Sequence, residues 1–185
     1  MNRRVMVFLG VLLFGLVGIA LLQTRSASQS TIDVAGTLNS FYLVGRDLGF
    51  TPEDIQAVRL RDPRGSSSFI IARDGNGVWT APGSSGTLNT GAAEIIAKTV
   101  ALLPYMNTSP IDASTKLSDF GFNPEGQFAI EVVLLDGSGH SIAIGSLSAS
   151  QVTYYALVDE RAEVLFLERA PVDYLATQLN KPPLT

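Results

Sequence analysis

Positions 5–22 (VMVFLGVLLFGLVGIALL) form an unbroken apolar run with no charge and no hydrogen-bonding side chain. As a helix rising about 1.5 Å per residue the run spans about 27 Å, close to the roughly 30 Å apolar thickness of a bilayer. It is therefore expected to be a transmembrane anchor, with Val5, Phe8, Leu9, Leu12, Leu13, Phe14, Leu16, Ile19 and Leu22 in contact with lipid. Arg3 and Arg4 precede the run and only Arg25 follows closely. That bias keeps the amino terminus in the cytoplasm and sends the rest across the membrane. A cleaved signal peptide is the competing reading, because Ser26-Ala27-Ser28 offers small residues at a cleavage point. Signal cores are usually about 7–15 residues, however, and this one is longer.

Residues 23–33 shift to Ser, Thr, Gln and Ala, as a solvated tether does. Leu38, Phe41, Tyr42, Gly45 and Leu48 then keep helical spacing, and Gly49 supplies a stop. Thr51-Pro52-Glu53-Asp54 predicts one capped helical turn. Beyond Ile55 the period changes to two: Val58 and Leu60 alternate with Arg59 and Arg61, and a second extended run covers 69–72. With turns at 62–65 and 74–77 and the segment 78–80, this predicts a three-stranded meander. A helix follows, capped by Asn89 or Thr90, with Ala92, Ile95, Ile96, Thr99, Val100 and Leu103 as its apolar stripe and Pro104 as its end.

The second half repeats that order. Segments 128–135, 140–144, 153–158 and 163–167 read as four strands in two hairpins. A last helix begins near Pro171, buries Val172, Leu175, Ala176 and Leu179, and cannot pass Pro182-Pro183. The expected class is α+β: a transmembrane helix, then antiparallel strands with two or three packing helices, in two similar strand-and-helix halves or one pseudo-duplicated sheet. The boundaries are 1–25 for the anchor, 26–36 for the tether and 37–185 for an extracytoplasmic domain, its halves near 37–108 and 109–185.

Four short blocks recur in this order: Trp79-Thr80-Ala81-Pro82, Asp119-Phe120-Gly121-Phe122-Asn123-Pro124, Ile142-Ala143-Ile144-Gly145 and Tyr154-Tyr155. The arrangement resembles a bacterial extracytoplasmic domain family of unknown function over roughly residues 55–179. Phe120 and Phe122 stand where that pattern more often has Tyr and Leu. The resemblance implies a single amino-terminal membrane helix and an association, in some members, with gliding-motility transporter components. It implies no catalytic residues.

Composition narrows the chemistry further. Arg3, Arg4 and Arg25 account for 3 of 13 basic residues, so 26–185 carries 10 basic against 17 acidic residues, a net charge of −7. Such a field repels phosphate backbones, and nucleic acid is excluded as a partner. The chain has no cysteine, which removes disulfides, lipoprotein acylation and cysteine-ligated clusters. His140 is the only histidine; with Asp136 four residues earlier it suggests a hydrolytic or metal pair, but the spacing is that of a turn running into a strand. One histidine without cysteine does not make a zinc site, and His140 with Met106 is a poor haem pair. Asp74-x-Asn76 looks superficially like a calcium loop, yet its twelfth position is Ser85. Gly83-Ser84-Ser85-Gly86 and Gly137-Ser138-Gly139 are not phosphate loops, so no nucleotide is expected. Glu53-Asp54 and Asp159-Glu160 are pairs of acids in turns, where solvated surface outweighs glycoside hydrolysis.

These observations favour a non-catalytic, membrane-anchored accessory or assembly subunit of a transporter or electron-transfer complex, without cofactor or metal. Its partners are then the lipid bilayer and integral membrane subunits, in the cell membrane with the domain on the periplasmic side. Trp79, Tyr154 and Tyr155 are the candidate partner contacts, one of the adjacent tyrosines facing the core and the other outward. The alternatives are a glycan- or small-ligand-binding module of the envelope using the same aromatics, and a weak hydrolase centred on His140 and Asp136.

Overall fold

The computed structural model describes residues 42–185. One nine-stranded antiparallel sheet dominates it. In chain order the elements are β1 (Tyr42–Leu43), α1 (Val44–Leu48), a 3-10 turn (Pro52–Asp54), β2 (Ile55–Arg61), β3 (Ser68–Arg73), β4 (Trp79–Thr80) and α2 (Thr90–Ala101). β5 (Pro104–Pro110), a second 3-10 turn (Leu117–Phe120), β6 (Phe128–Leu134), β7 (Gly139–Leu147), β8 (Thr153–Val158), β9 (Glu163–Glu168) and α3 (Arg169–Asn180) complete the chain.

Local chemistry places most of these elements where the sequence predicts them. The Asp54 carboxylate accepts hydrogen bonds from the Thr51 N–H (2.8 Å) and hydroxyl (2.7 Å), closing the first 3-10 turn. Asp74 Oδ1 accepts from the N–H groups of Asn76 and Val78, which folds the β3–β4 hairpin. Asn89 caps α2 by accepting from the Ala92 N–H (3.1 Å).

Separate strand-and-helix halves, one of the two arrangements expected, are corrected: the strands share one sheet. Strand order across the sheet is β1-β5-β9-β8-β7-β6-β2-β3-β4, so the meanders β2–β4 and β6–β9 share one sheet, joined where β2 pairs antiparallel with β6. The reason is backbone satisfaction: β2 and β6 are the first strands of their meanders, and each would otherwise present an unpaired edge. β5 was not anticipated, because Pro104 reads as a helix stop and Tyr105-Met106-Asn107-Thr108 shows no clean alternation; it lies beside β9 at the far side of the sheet. Of the helix expected from the spacing of Leu38 to Leu48, residues 38–41 lie outside the described residues, Tyr42–Leu43 form the short strand β1, and Val44–Leu48 are helical. The transmembrane run 5–22 and the tether lie outside the described residues. Among the described residues no helix is long and apolar enough to cross a membrane.

Paired positions show which way each strand faces. Val58 opposes Ile71 and Val132, Leu60 opposes Phe69 and Ile130, and Ile142 opposes Ile130 and Val158. All of these are buried, together with Leu165 and Leu167 of β9. This inner face packs under Ile96, Ala97 and Val100 of α2 and Val172, Leu175 and Leu179 of α3 in one apolar core. Both long helices therefore serve one face of the sheet, and alternation hands the other face to different residues.

Half of that other face is closed by the long β5–β6 connection. Phe120 meets Tyr155 edge-on (centroids 4.9 Å apart), Tyr155 meets Phe166 (5.2 Å), and Phe122 of the segment and Val164 of β9 are both buried. The approach is so close that a Cβ on Gly145 would lie 2.1 Å from the Phe120 carbonyl oxygen, and one on Gly121 would lie 2.3 Å from the Ser146 nitrogen. Gly145→Ala is therefore expected to cost about 1–3 kcal/mol by overpacking, read as a lower urea midpoint at unchanged m.

At the β1–β5 edge, the Tyr105 hydroxyl donates to the Asp47 carboxylate and the ring stacks on Tyr42 at 5.2 Å. Burial, and then the hydrogen bond to Asp47, push the Tyr105 hydroxyl from 10.0 up to about 12. A folded value above the unfolded one means that this contribution to stability is whole below pH 10.0 and is lost as pH rises toward about 12. Thermal unfolding followed against pH should show that alkaline loss in the native chain and a shallower one in Tyr105→Phe.

Candidate functional site

The half of the helix-free face that no other described segment covers spans β3, β2, β6 and β7. Register stacks its side chains in rows across the strands. The middle row is Ile70, Arg59, Glu131 and Ser141; one neighbouring row is Ala72, Ala57, Val133 and Gly139, the other Ser68, Arg61, Ala129 and Ala143. The result is a field of small and aliphatic side chains with a short charged ladder at its centre, Val133 exposed and Ala129 buried.

Glu131 organises that ladder. Its Oε2 accepts from Arg59 Nη1 at 3.2 Å and its Oε1 lies 3.3 Å from Arg61 Nε, while Glu125 stands 3.9 Å from Arg61 Nη1. Arg61 Nε is closed off from solvent and has no aligned hydrogen-bond acceptor, because the Glu131 oxygen is near but off the N–H direction. The side chains of Arg59 and Glu131 are 48% and 34% exposed, so water still screens the pair. Val133 is 43% exposed and Leu135, just beyond β6, 60%. In the alternation of the sequence Arg59 and Arg61 are only the positions between apolar neighbours, with no role of their own. The available signal was Glu131, the one charged residue in the otherwise apolar segment 128–135.

The aromatics singled out from sequence occupy other places. Trp79 is a core residue, 6% exposed; its Nε1 donates to Glu94 Oε2 (2.8 Å) and the Arg73 guanidinium lies 4.4 Å over its ring. As a partner contact it is corrected: its surface is consumed inside the domain. Tyr154 faces the core side, its hydroxyl donating to Asp173 Oδ1 of α3 at 2.8 Å, and burial followed by that hydrogen bond raises its pKa. Tyr155 points to the opposite face, as adjacent strand residues must, but stands between Phe120 and Phe166 under the β5–β6 connection. The anchor positions Val5, Phe8, Leu9, Leu12, Leu13, Phe14, Leu16, Ile19 and Leu22 lie outside the described residues.

His140 and Asp136 do not pair with each other. The His140 Nδ1 lies 2.9 Å from Asp159 Oδ2, its ring stacks on the buried Phe50 at 5.5 Å, and Asp159 Oδ1 accepts from the Ser141 N–H. Asp136 instead holds the N–H and hydroxyl of Ser138. Those two hydrogen bonds keep the Asp136 carboxyl below the ordinary range, as bonds from Thr51 do for Asp54 and bonds from Val78 and Asn76 do for Asp74. These carboxylates are turn locks. Among the described residues no group of three or more His, Cys, Asp or Glu is arranged to hold a metal ion.

Comparison with protein-family models, curated proteins and solved structures gives no match to this chain. A double-mutant cycle on Arg59 and Glu131 should return a coupling below about 1 kcal/mol, the range of exposed ion pairs. A larger coupling, measured by urea unfolding, would make the ladder a stability device and not a recognition surface.

Proposed function

We propose that this chain is a non-catalytic accessory or assembly subunit that docks a protein partner at a membrane through the open face of β3, β2, β6 and β7. The observation that carries the reading is the division of the helix-free face. One half is closed by its own chain over Phe120 and Phe122, while the other half leaves Val133 and Ile70 beside the Arg59–Glu131–Arg61 ladder. An aliphatic field around fixed charges suits a partner surface, with apolar area supplying affinity and the charges supplying register and orientation. The commitment of the His140 and Asp136 side chains to Asp159 and Ser138 supports a binding role over a hydrolytic one. The membrane location rests on the sequence run 5–22 and the arginines before it.

Mild detergent extraction of the full chain from its own membrane, followed by native separation, tests this directly. The wild type is expected to migrate well above a 19.7 kDa monomer with its detergent. Glu131→Arg, which places three guanidinium groups together at the centre of the field, should release it as a monomer while its unfolding temperature falls by only a few degrees. A wild type that migrates alone, or a variant that stays in the complex, contradicts the proposal.

A further inference from the structure

A second place on the molecule has the chemistry of a ligand site, and it stands apart from the open sheet face. A cleft of about 180 Å³ lies where the carboxy-terminal half of α3 leans over β6, β7 and β8. Its apolar wall includes Phe128 and Tyr154, and its polar lining is Asp62, Gln127 and Asn180. Asp62 is the one charged side chain in that lining. Among the described residues it takes part in no ion pair. Its Oδ1 accepts from the N–H groups of Arg64 (2.9 Å) and Gly65 (3.0 Å), which fixes the carboxylate in the β2–β3 turn, with Oδ2 beside Gly65 and, among the described residues, without a hydrogen-bond donor.

The two amides are oriented by their own hydrogen bonds. Gln127 Nε2 donates to the Gly145 carbonyl (2.9 Å) and Asn180 Nδ2 donates to the Ala176 carbonyl (3.0 Å). Their carbonyl oxygens accept no hydrogen bond among the described residues. The Tyr154 hydroxyl is engaged by Asp173, so the tyrosine offers the cleft its ring and not its donor. Three acceptors with one net negative charge, beside two aromatic rings, match a group that has three N–H donors, a positive charge and no acceptor. A volume below the roughly 300–1,000 Å³ of drug-sized sites favours a short alkyl chain over a sugar ring.

We infer that this cleft binds a primary alkylammonium group, its ammonium at Asp62, Gln127 and Asn180 and its alkyl stem along Phe128 and Tyr154. The group can arrive as a lysine side chain of a partner protein or as a free small amine. The compact ammonium suits the small cleft better than the planar fork of a guanidinium.

The test is an NMR titration of the full chain with n-butylammonium, with N-acetyl-lysine methylamide and with n-butanol. Saturable shifts of the Phe128 and Tyr154 ring signals and of the Gln127 and Asn180 amide signals are expected with n-butylammonium. Butanol, which has the stem without the charge, should bind weaker by roughly tenfold or more. Asp62→Asn retains the Oδ1 acceptor that holds the turn and should weaken n-butylammonium by a similar factor. Ala176→Leu fills the cleft without touching the charge and should abolish the shifts. Saturation by the lysine derivative as well identifies the source as a protein side chain, and saturation by n-butylammonium alone identifies a free amine. Shifts that never saturate, equal binding of butanol, or an unchanged affinity in Asp62→Asn would overturn the assignment.

Discussion

The pairing of β2 with β6 is the constraint on which the rest of this structure depends. It runs from Ile55 opposite Leu134 to Arg61 opposite Ala129, with an irregularity between Ile55 and Ala57. Each strand opens a local meander, and each would expose a full row of backbone donors and acceptors if the meanders stayed apart. Joined, they place Val58, Leu60, Ile130 and Val132 side by side and make one apolar surface wide enough for both α2 and α3. The edges are blunted by the same arrangement, since the outermost strands β1 and β4 are only two residues each.

A sheet with both long helices on one side must manage its other side differently. Over β7, β8 and β9 the chain covers itself, and three glycines make that possible. Gly121, Gly126 and Gly145 each bring backbone to within a distance that a side chain would forbid. Over β2, β3 and β6 no described segment does the same, and the face is populated by alanines, Ile70, Val133 and the Glu131 ladder. The asymmetry is therefore built from residue size: glycine where the chain lies on the sheet, alanine and charge where it does not.

The acidic balance of the domain also finds its explanation in the fold. Asp54, Asp74, Asp112 and Asp136 each accept hydrogen bonds from residues two to four positions away, and each carboxyl is held below its ordinary range by them. Excess negative charge here reflects turn chemistry repeated along a chain of short strands. Asp62 uses one oxygen in the same way and differs in also lining the cleft under α3.

Short-range chemistry was legible in the residues alone: the meander 55–80, the capped helix at Asn89, the four strands from Phe128 and the final helix all follow from alternation, turns and caps that act within a few positions. Their partners were not. Arg59 and Glu131 are 72 residues apart, and nothing near either one names the other. Trp79 looked like a contact residue because a two-residue strand cannot reveal which side it buries; Glu94 and Arg73 decide that from two other elements. β5 was hidden because its pairing with β9 supplies the order that its own sequence lacks. Apart from β5 and β1, sequence by itself thus determined which described segments are extended or helical, since those preferences are set by neighbouring atoms. Only the tertiary structure decided that two meanders form one sheet, which half of its outer face its own β5–β6 connection covers and which acid lines the cleft under α3, because those outcomes depend on residues brought together from distant parts of the chain.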